Sequence, residues 1–181
     1  MNLTKRLLAM ALAGVMLLTI LTGCSGGKTG DRLVEEYLDA FLRGNHGLSD
    51  VPITHDVPEI KTVAEMFKTS WLNDDGSWAI PSTDFSPNEE RQALKEVFSS
   101  YESSCSVELY ACEVDSKQNE LNQTMRVMSI IHGGGLSVHR FTTTPPTPAP
   151  VISAAKCATR LVTRGEKSYR IAVIIYDYAA G

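Results

Sequence analysis

Four sets of residues have types and spacings that could do chemistry. His132-Gly133-Gly134-Gly135 matches an oxyanion-hole string, in which glycine N–H groups face a developing negative charge. That chemistry needs a serine on a G-x-S-x-G turn between strand and helix, and residues 31–181 contain none. The string is therefore expected to be a flexible hairpin turn. Gly26-Gly27-Lys28-Thr29 ends like a phosphate loop, but position 22 is Thr where the loop needs Gly, and no strand precedes it. Asn73-Asp74-Asp75-Gly76 has the start of a calcium loop, yet Ala79 follows and no acid closes the register, so a turn between Trp71 and Trp78 is expected.

Histidines offer little more. His46 and His55 share one loop region, and His132 and His139 flank the glycine run, where they could face each other across a hairpin. Neither pair has Cys, Asp or Glu at ligand spacing, so no metal site and no cofactor are expected. If the chain were an enzyme, its acid–base candidates would be His139, His132, Tyr110 and Asp177, which spacing alone does not bring together. No catalytic residue is assigned.

The remaining reactive residue is Cys24. Lys5 and Arg6 precede a run from Leu7 to Leu21 that only Gly14 and Thr19 interrupt, the pattern of a signal peptide. The run is about 15 residues, short of the roughly 20 that a membrane-spanning helix needs. It ends in Leu21-Thr22-Gly23-Cys24, which resembles the lipobox of bacterial lipoproteins at all four positions. The resemblance implies cleavage between Gly23 and Cys24, diacylation of the Cys24 thiol, and Cys24 as the mature N-terminus. Two acyl chains on one residue give durable anchoring, at about 0.8 kcal/mol per buried methylene. The expected location is extracytoplasmic and membrane-anchored. Ser25 is not the Asp that often follows a cysteine retained at the inner membrane.

Lys and Arg number 17 against 21 Asp and Glu, a net charge of −4. Removing residues 1–23, with two basic residues and no acid, leaves 15 against 21, a net of −6. No basic field exists to hold nucleic acid, and attachment to a bilayer would come from lipid at Cys24 rather than a polybasic patch. Residues 24–30 read as the lipidated cysteine and a Gly-rich tether, and residues 31–181 as one domain. Cys105, Cys112 and Cys157 are an odd set: one disulfide with one free thiol, or, favoured here, three buried thiols.

Within the domain, Leu33, Val34, Tyr37, Leu38, Phe41 and Leu42 form one apolar helical stripe over 31–44. Pro58 starts a second helix reaching about Thr69, and Ser86-Pro87-Asn88-Glu89 opens a third that continues to Tyr101. Residues 106–115 and 123–131 read as strands, each with a change of apolar phase that suggests a bulge. Leu136–Thr143 reads as a further strand and 142–150 as an exposed extended connection. Residues 152–164 and 169–178 form a hairpin through Arg164-Gly165-Glu166-Lys167. Helices before strands imply an α+β fold with an antiparallel sheet. The stretch from Arg32 to Asn45 is similar to the first helix of small lipoproteins with a nuclear transport factor two-like cone fold. That likeness implies N-terminal helices packed into a curved antiparallel sheet. The expected role is a module binding a small ligand or an envelope protein; the alternatives are a cone-fold enzyme with an acid–base residue in an apolar pocket, or an envelope-assembly partner.

Overall fold

The computed structural model describes residues 30–45, 47–81, 88–101, 105–139 and 151–179. Helix α1 (Gly30–Asn45) forms as its stripe predicts, burying Val34, Tyr37, Leu38, Phe41 and Leu42. The short strand β1 (Ile53–Thr54) follows, then α2 (Ile60–Met66) and a 3-10 turn at Thr69–Trp71. Helix α3 (Glu89–Val97) is capped by Asn88, whose side chain accepts from the Arg91 N–H at 2.8 Å. A second 3-10 turn (Ser99–Tyr101) leads to β2 (Cys105–Val114), α4 (Glu120–Ile131), β3 (Leu136–His139), β4 (Ile152–Arg164) and β5 (Lys167–Tyr178).

The fold is α+β, with one five-stranded sheet in the order β1-β4-β5-β2-β3. Every pairing is antiparallel except β1 with β4, so the sheet is mixed rather than antiparallel throughout. The hairpin of β4 and β5 forms over its whole length, turning at Gly165 with φ +62°. Two cores flank the sheet. Phe67, Trp71, Leu94 and Phe98 from the α2–α3 region meet Val107, Leu109, Ile171 and Val173 on one face. Leu38, Phe41, Val127 and Ile131 from α1 and α4 meet Tyr110, Cys112, Cys157 and Ile174 on the other. Each fully buried large apolar side chain here contributes about 1.5–3 kcal/mol.

This double burial explains the phase change expected to mark a bulge in β2. Val107, Leu109 and Ala111 serve one core and Tyr110, Cys112 and Val114 the other, and β2 pairs with β5 from Cys105 to Val114 without a shift. A bulge does occur, between Val107 and Glu108, where β2 meets β3.

Residues 123–131 are helix, not strand. Asn119 caps α4 by accepting from the Asn122 N–H at 3.0 Å, and the inward residues Gln123, Thr124, Val127 and Ile131 follow helical spacing. Two of those four are polar, which hid the stripe, while apolar Met125 points outward at 58% exposure. Of the strand expected over 136–143, Leu136–His139 is observed; residues 140–143 and the connection through 150 lie outside the described residues, as do Ser86 and Pro87.

Polar groups fasten α1 and α4 to the sheet. Arg170 on β5 is 2% exposed and donates to the Asp31 carboxylate and, from Nε, to Gln123 Oε1 at 3.2 Å. Asp31 also accepts from the Leu161 N–H at 3.2 Å, and Glu35 accepts from the Thr159 N–H at 3.1 Å. A buried guanidinium left unpartnered would be strongly destabilising, so these contacts fix the start of α1 against β4 and β5.

Candidate functional site

The residues singled out from the sequence are dispersed. Gly23, Cys24, the phosphate-loop mimic and His46 lie outside the described residues. His132 caps the C-terminus of α4 and packs edge-to-face on Phe41 at 5.6 Å. His139 lies on β3 with Nε2 3.4 Å from the Lys95 carbonyl oxygen of α3. Phe41 belongs to one core and α3 packs on the other, so the two histidines do not face each other. The glycine run is a turn: Gly134 has φ +92°, and a Cβ on Gly135 would fall 2.6 Å from the Leu109 carbonyl oxygen.

Tyr110 donates its hydroxyl to the Glu108 carboxylate, and burial, then that hydrogen bond, raises its pKa, so the phenol stays protonated. Asp177 accepts from the Cys105 thiol at 2.7 Å on the opposite face of the sheet. Asn73–Gly76 closes a turn in which Asp75 accepts from the Ser77 N–H at 2.9 Å and hydroxyl at 2.6 Å; these bonds lower the Asp75 pKa. Among the described residues no group of three or more His, Cys, Asp or Glu is gathered for a metal.

All three described thiols are free and buried. Cys112 and Cys157 share a face but stand on β2 and β4 with β5 between them, about 9–10 Å across two strand spacings, too far for a disulfide. Burial pushes the Cys112 pKa to about 11 and that of Cys157 further still, where Asp39 and Glu35 add to it.

One assembly escaped the sequence altogether. His55 Nε2 lies 3.4 Å from Asp39 Oδ2, and neither ring nitrogen makes a hydrogen bond. The β1–β4 register ends at Thr54 opposite Lys156, one residue before His55, and Asp39 lies near enough to Cys157 to act on its thiol. A thiol, an imidazole and a carboxylate have the types of a nucleophilic triad. Cys157 is nevertheless fully buried and its thiol held protonated, so the assembly reads as core. Its members sit at 39, 55 and 157, with no short-range spacing to reveal them.

An accessible open cleft of about 1210 Å³ lies at one end of the sheet. Four segments build it: the turn through Asn73–Gly76, the end of β2 with Asp115–Gln118, Arg126 and Ile130 of α4, and Glu166–Tyr169 at the start of β5. Lys167 Nζ bonds Glu113 Oε2 across it at 2.7 Å, which raises the Lys167 pKa. The lining is mostly polar, suited to recognition by hydrogen bonds and charge rather than to enclosing an apolar molecule. Spacing could not announce this site, because its residues span 69–169 and meet only once β2 and β5 pair.

Comparison with protein-family models, with curated proteins and with solved structures finds no match. The functional reading therefore rests on the residues and geometry above.

Proposed function

We propose that this chain is a lipid-anchored extracytoplasmic binding module whose cleft receives a ligand or an envelope protein. The observation that carries the binding role is the open, charged cleft formed by four separate chain segments at one end of the sheet. The anchoring half rests on Leu21-Thr22-Gly23-Cys24 and the apolar run before it. No described helix is long and apolar enough to cross a membrane.

The two halves combine geometrically. Helix α1 starts at Gly30, beside Glu120 in the first turn of α4, and α4 follows directly on the Asp115–Gln118 wall of the cleft. The chain thus enters the domain at the cleft end. Five residues separate Cys24 from Gly30, six Cα–Cα steps and a reach of about 20 Å when extended, so the cleft would lie close to the membrane. In this reading the cone-like arrangement implied by α1 is carried by α1 and α4 on one sheet face, with α2 and α3 added on the other.

Native mass spectrometry of the mature protein, extracted from its own host in mild detergent, tests the binding role. A discrete retained mass that disappears in Ser116→Trp, which fills the cleft, is the expected result. No retained mass, or one indifferent to Ser116→Trp, would overturn it.

A further inference from the structure

The cleft carries charges of opposite sign on opposite sides of the sheet. The Asn73–Gly76 turn belongs to one sheet face: Leu72 and Trp78, which bridge at its base, pack against the core that holds Phe67 and Phe98. Helix α4 belongs to the other face, where Val127 and Ile131 enter the second core. Both elements reach the same cleft, the turn through Asp74 and Asp75 and the helix through Arg126 and Ile130.

Much of the charge between them is already balanced. Lys167 bonds Glu113 at 2.7 Å. Asp115 and Lys117 cancel on the turn into α4, where the Asp115 carboxylate accepts the Lys117 N–H at 2.9 Å. Asp75 is held within its own turn by Ser77. What remains is Asp74 and Glu166 against Arg126. All three are exposed, and none forms an ion pair among the described residues. Asp74 lies close enough to act on the ammonium of Lys167, the residue after Glu166, which sets the two acids on one side. Arg126 acts on the Cys112 thiol, in the core of the opposite face.

A ligand in this cleft therefore meets a side that favours cations and a side that favours anions. Backbones packed on opposite faces of a sheet stand more than about 10 Å apart, the spacing of one packed layer. Charges on neighbouring atoms, as in a free amino acid, do not bridge that gap. A chain of about three to five residues does, each adding about 3.3–3.6 Å. Between the two sides, Ser70, Ser116 and Gln118 offer hydroxyl and carboxamide groups that can donate to and accept from peptide amides. A guanidinium such as that of Arg126 suits a terminal carboxylate because it can bond both oxygens at once.

We propose that the cleft binds a short peptide with free termini, its ammonium group toward Asp74 and Glu166 and its carboxylate on Arg126. The proposal rests on the binding role above and names the class of ligand: the two charged ends supply the selectivity, and the polar lining between them supplies bonds to the main chain.

The test titrates the mature protein, in detergent at neutral pH, with tetra-alanine and with its N-acetylated and C-amidated forms, read by calorimetry. Tetra-alanine should bind, and each blocked form should bind about tenfold more weakly. In Arg126→Gln the free and amidated peptides should bind alike, while the acetylated form stays the weaker. In Asp74→Asn with Glu166→Gln the free and acetylated peptides should bind alike, while the amidated form stays the weaker. Blocked peptides that match the parent in the wild-type protein, or preferences that persist unchanged in the variants, would overturn the proposal. If tetra-alanine does not bind while the host-derived mass is still retained and still lost in Ser116→Trp, the peptide proposal fails and the binding cleft stands; if neither binds, both fail.

Discussion

Glu35 shows at the scale of one residue how the fold spends a buried charge. Its carboxylate lies beneath α1 and accepts the outward N–H of Thr159 at 3.1 Å. Burial raises its pKa above the usual 4.5, only partly offset by that hydrogen bond, His55 and Arg32. A carboxyl group with a raised folded-state pKa stabilises the fold fully below its unfolded value and loses that contribution as pH rises through the folded value. Gln at this position keeps the acceptor and removes the titration. The stability of Glu35→Gln relative to wild type should therefore increase as pH rises from 4.5 and then level off, read as urea midpoints between pH 4 and 7. Midpoint curves that stay parallel would contradict this. Spacing puts Glu35 on the flank of the apolar stripe, three and seven residues before Leu38 and Leu42 and away from exposed Arg32 and partly exposed Glu36, but it does not show that the carboxylate meets the Thr159 N–H on β4.

Elements show where sequence patterns carry and where they fail. Helix α1 was legible to within a residue because its six apolar positions lie on one face, and the hairpin of β4 and β5 because a β-branched run flanks Arg164–Lys167. Helix α4 was not, since Gln123 turns inward to meet Arg170 from another element. The phase change in β2 accompanies a bulge between Val107 and Glu108 against β3, but its apolar residues on both sides have another cause: both faces are packed, so alternation carries no outward side. The glycine run was read as a turn, but its tightness was hidden. A methyl group on Gly135 would lie 2.6 Å from the Leu109 carbonyl oxygen and 2.7 Å from the Tyr110 ring. Gly135→Ala should therefore cost about 1–3 kcal/mol in chemical denaturation. Gly133→Ala, whose new Cβ would meet only the Ile130 carbonyl oxygen at 3.4 Å, should cost less. Equal losses would show that the turn, and not its approach to β2, sets the energetics.

At the scale of the whole molecule, the helices cover both sheet faces, the start of α1 bonds to β4, and an open charged cleft lies beside the point where the described chain enters the domain. None of the cleft was readable in advance, because it is assembled from turns brought together by β2, β4 and β5. The proposed lipobox, by contrast, is a reading of four consecutive residues, Leu21-Thr22-Gly23-Cys24, and rests on the sequence alone. Cys24→Ala should shift the protein from membrane to soluble fraction or leave an uncleaved precursor, followed by fractionation and palmitate labelling. The central claim joins the two: an anchored domain presenting its cleft to a partner. The most direct test places a photo-cross-linking residue at Ser116 in the cleft, or at exposed Ser49 outside it, in protein anchored in its own host's cells. The account predicts a discrete adduct from position 116, absent from position 49 and weakened by Asp74→Lys with Glu166→Lys. No adduct from 116, or the same adduct from both positions, would contradict it.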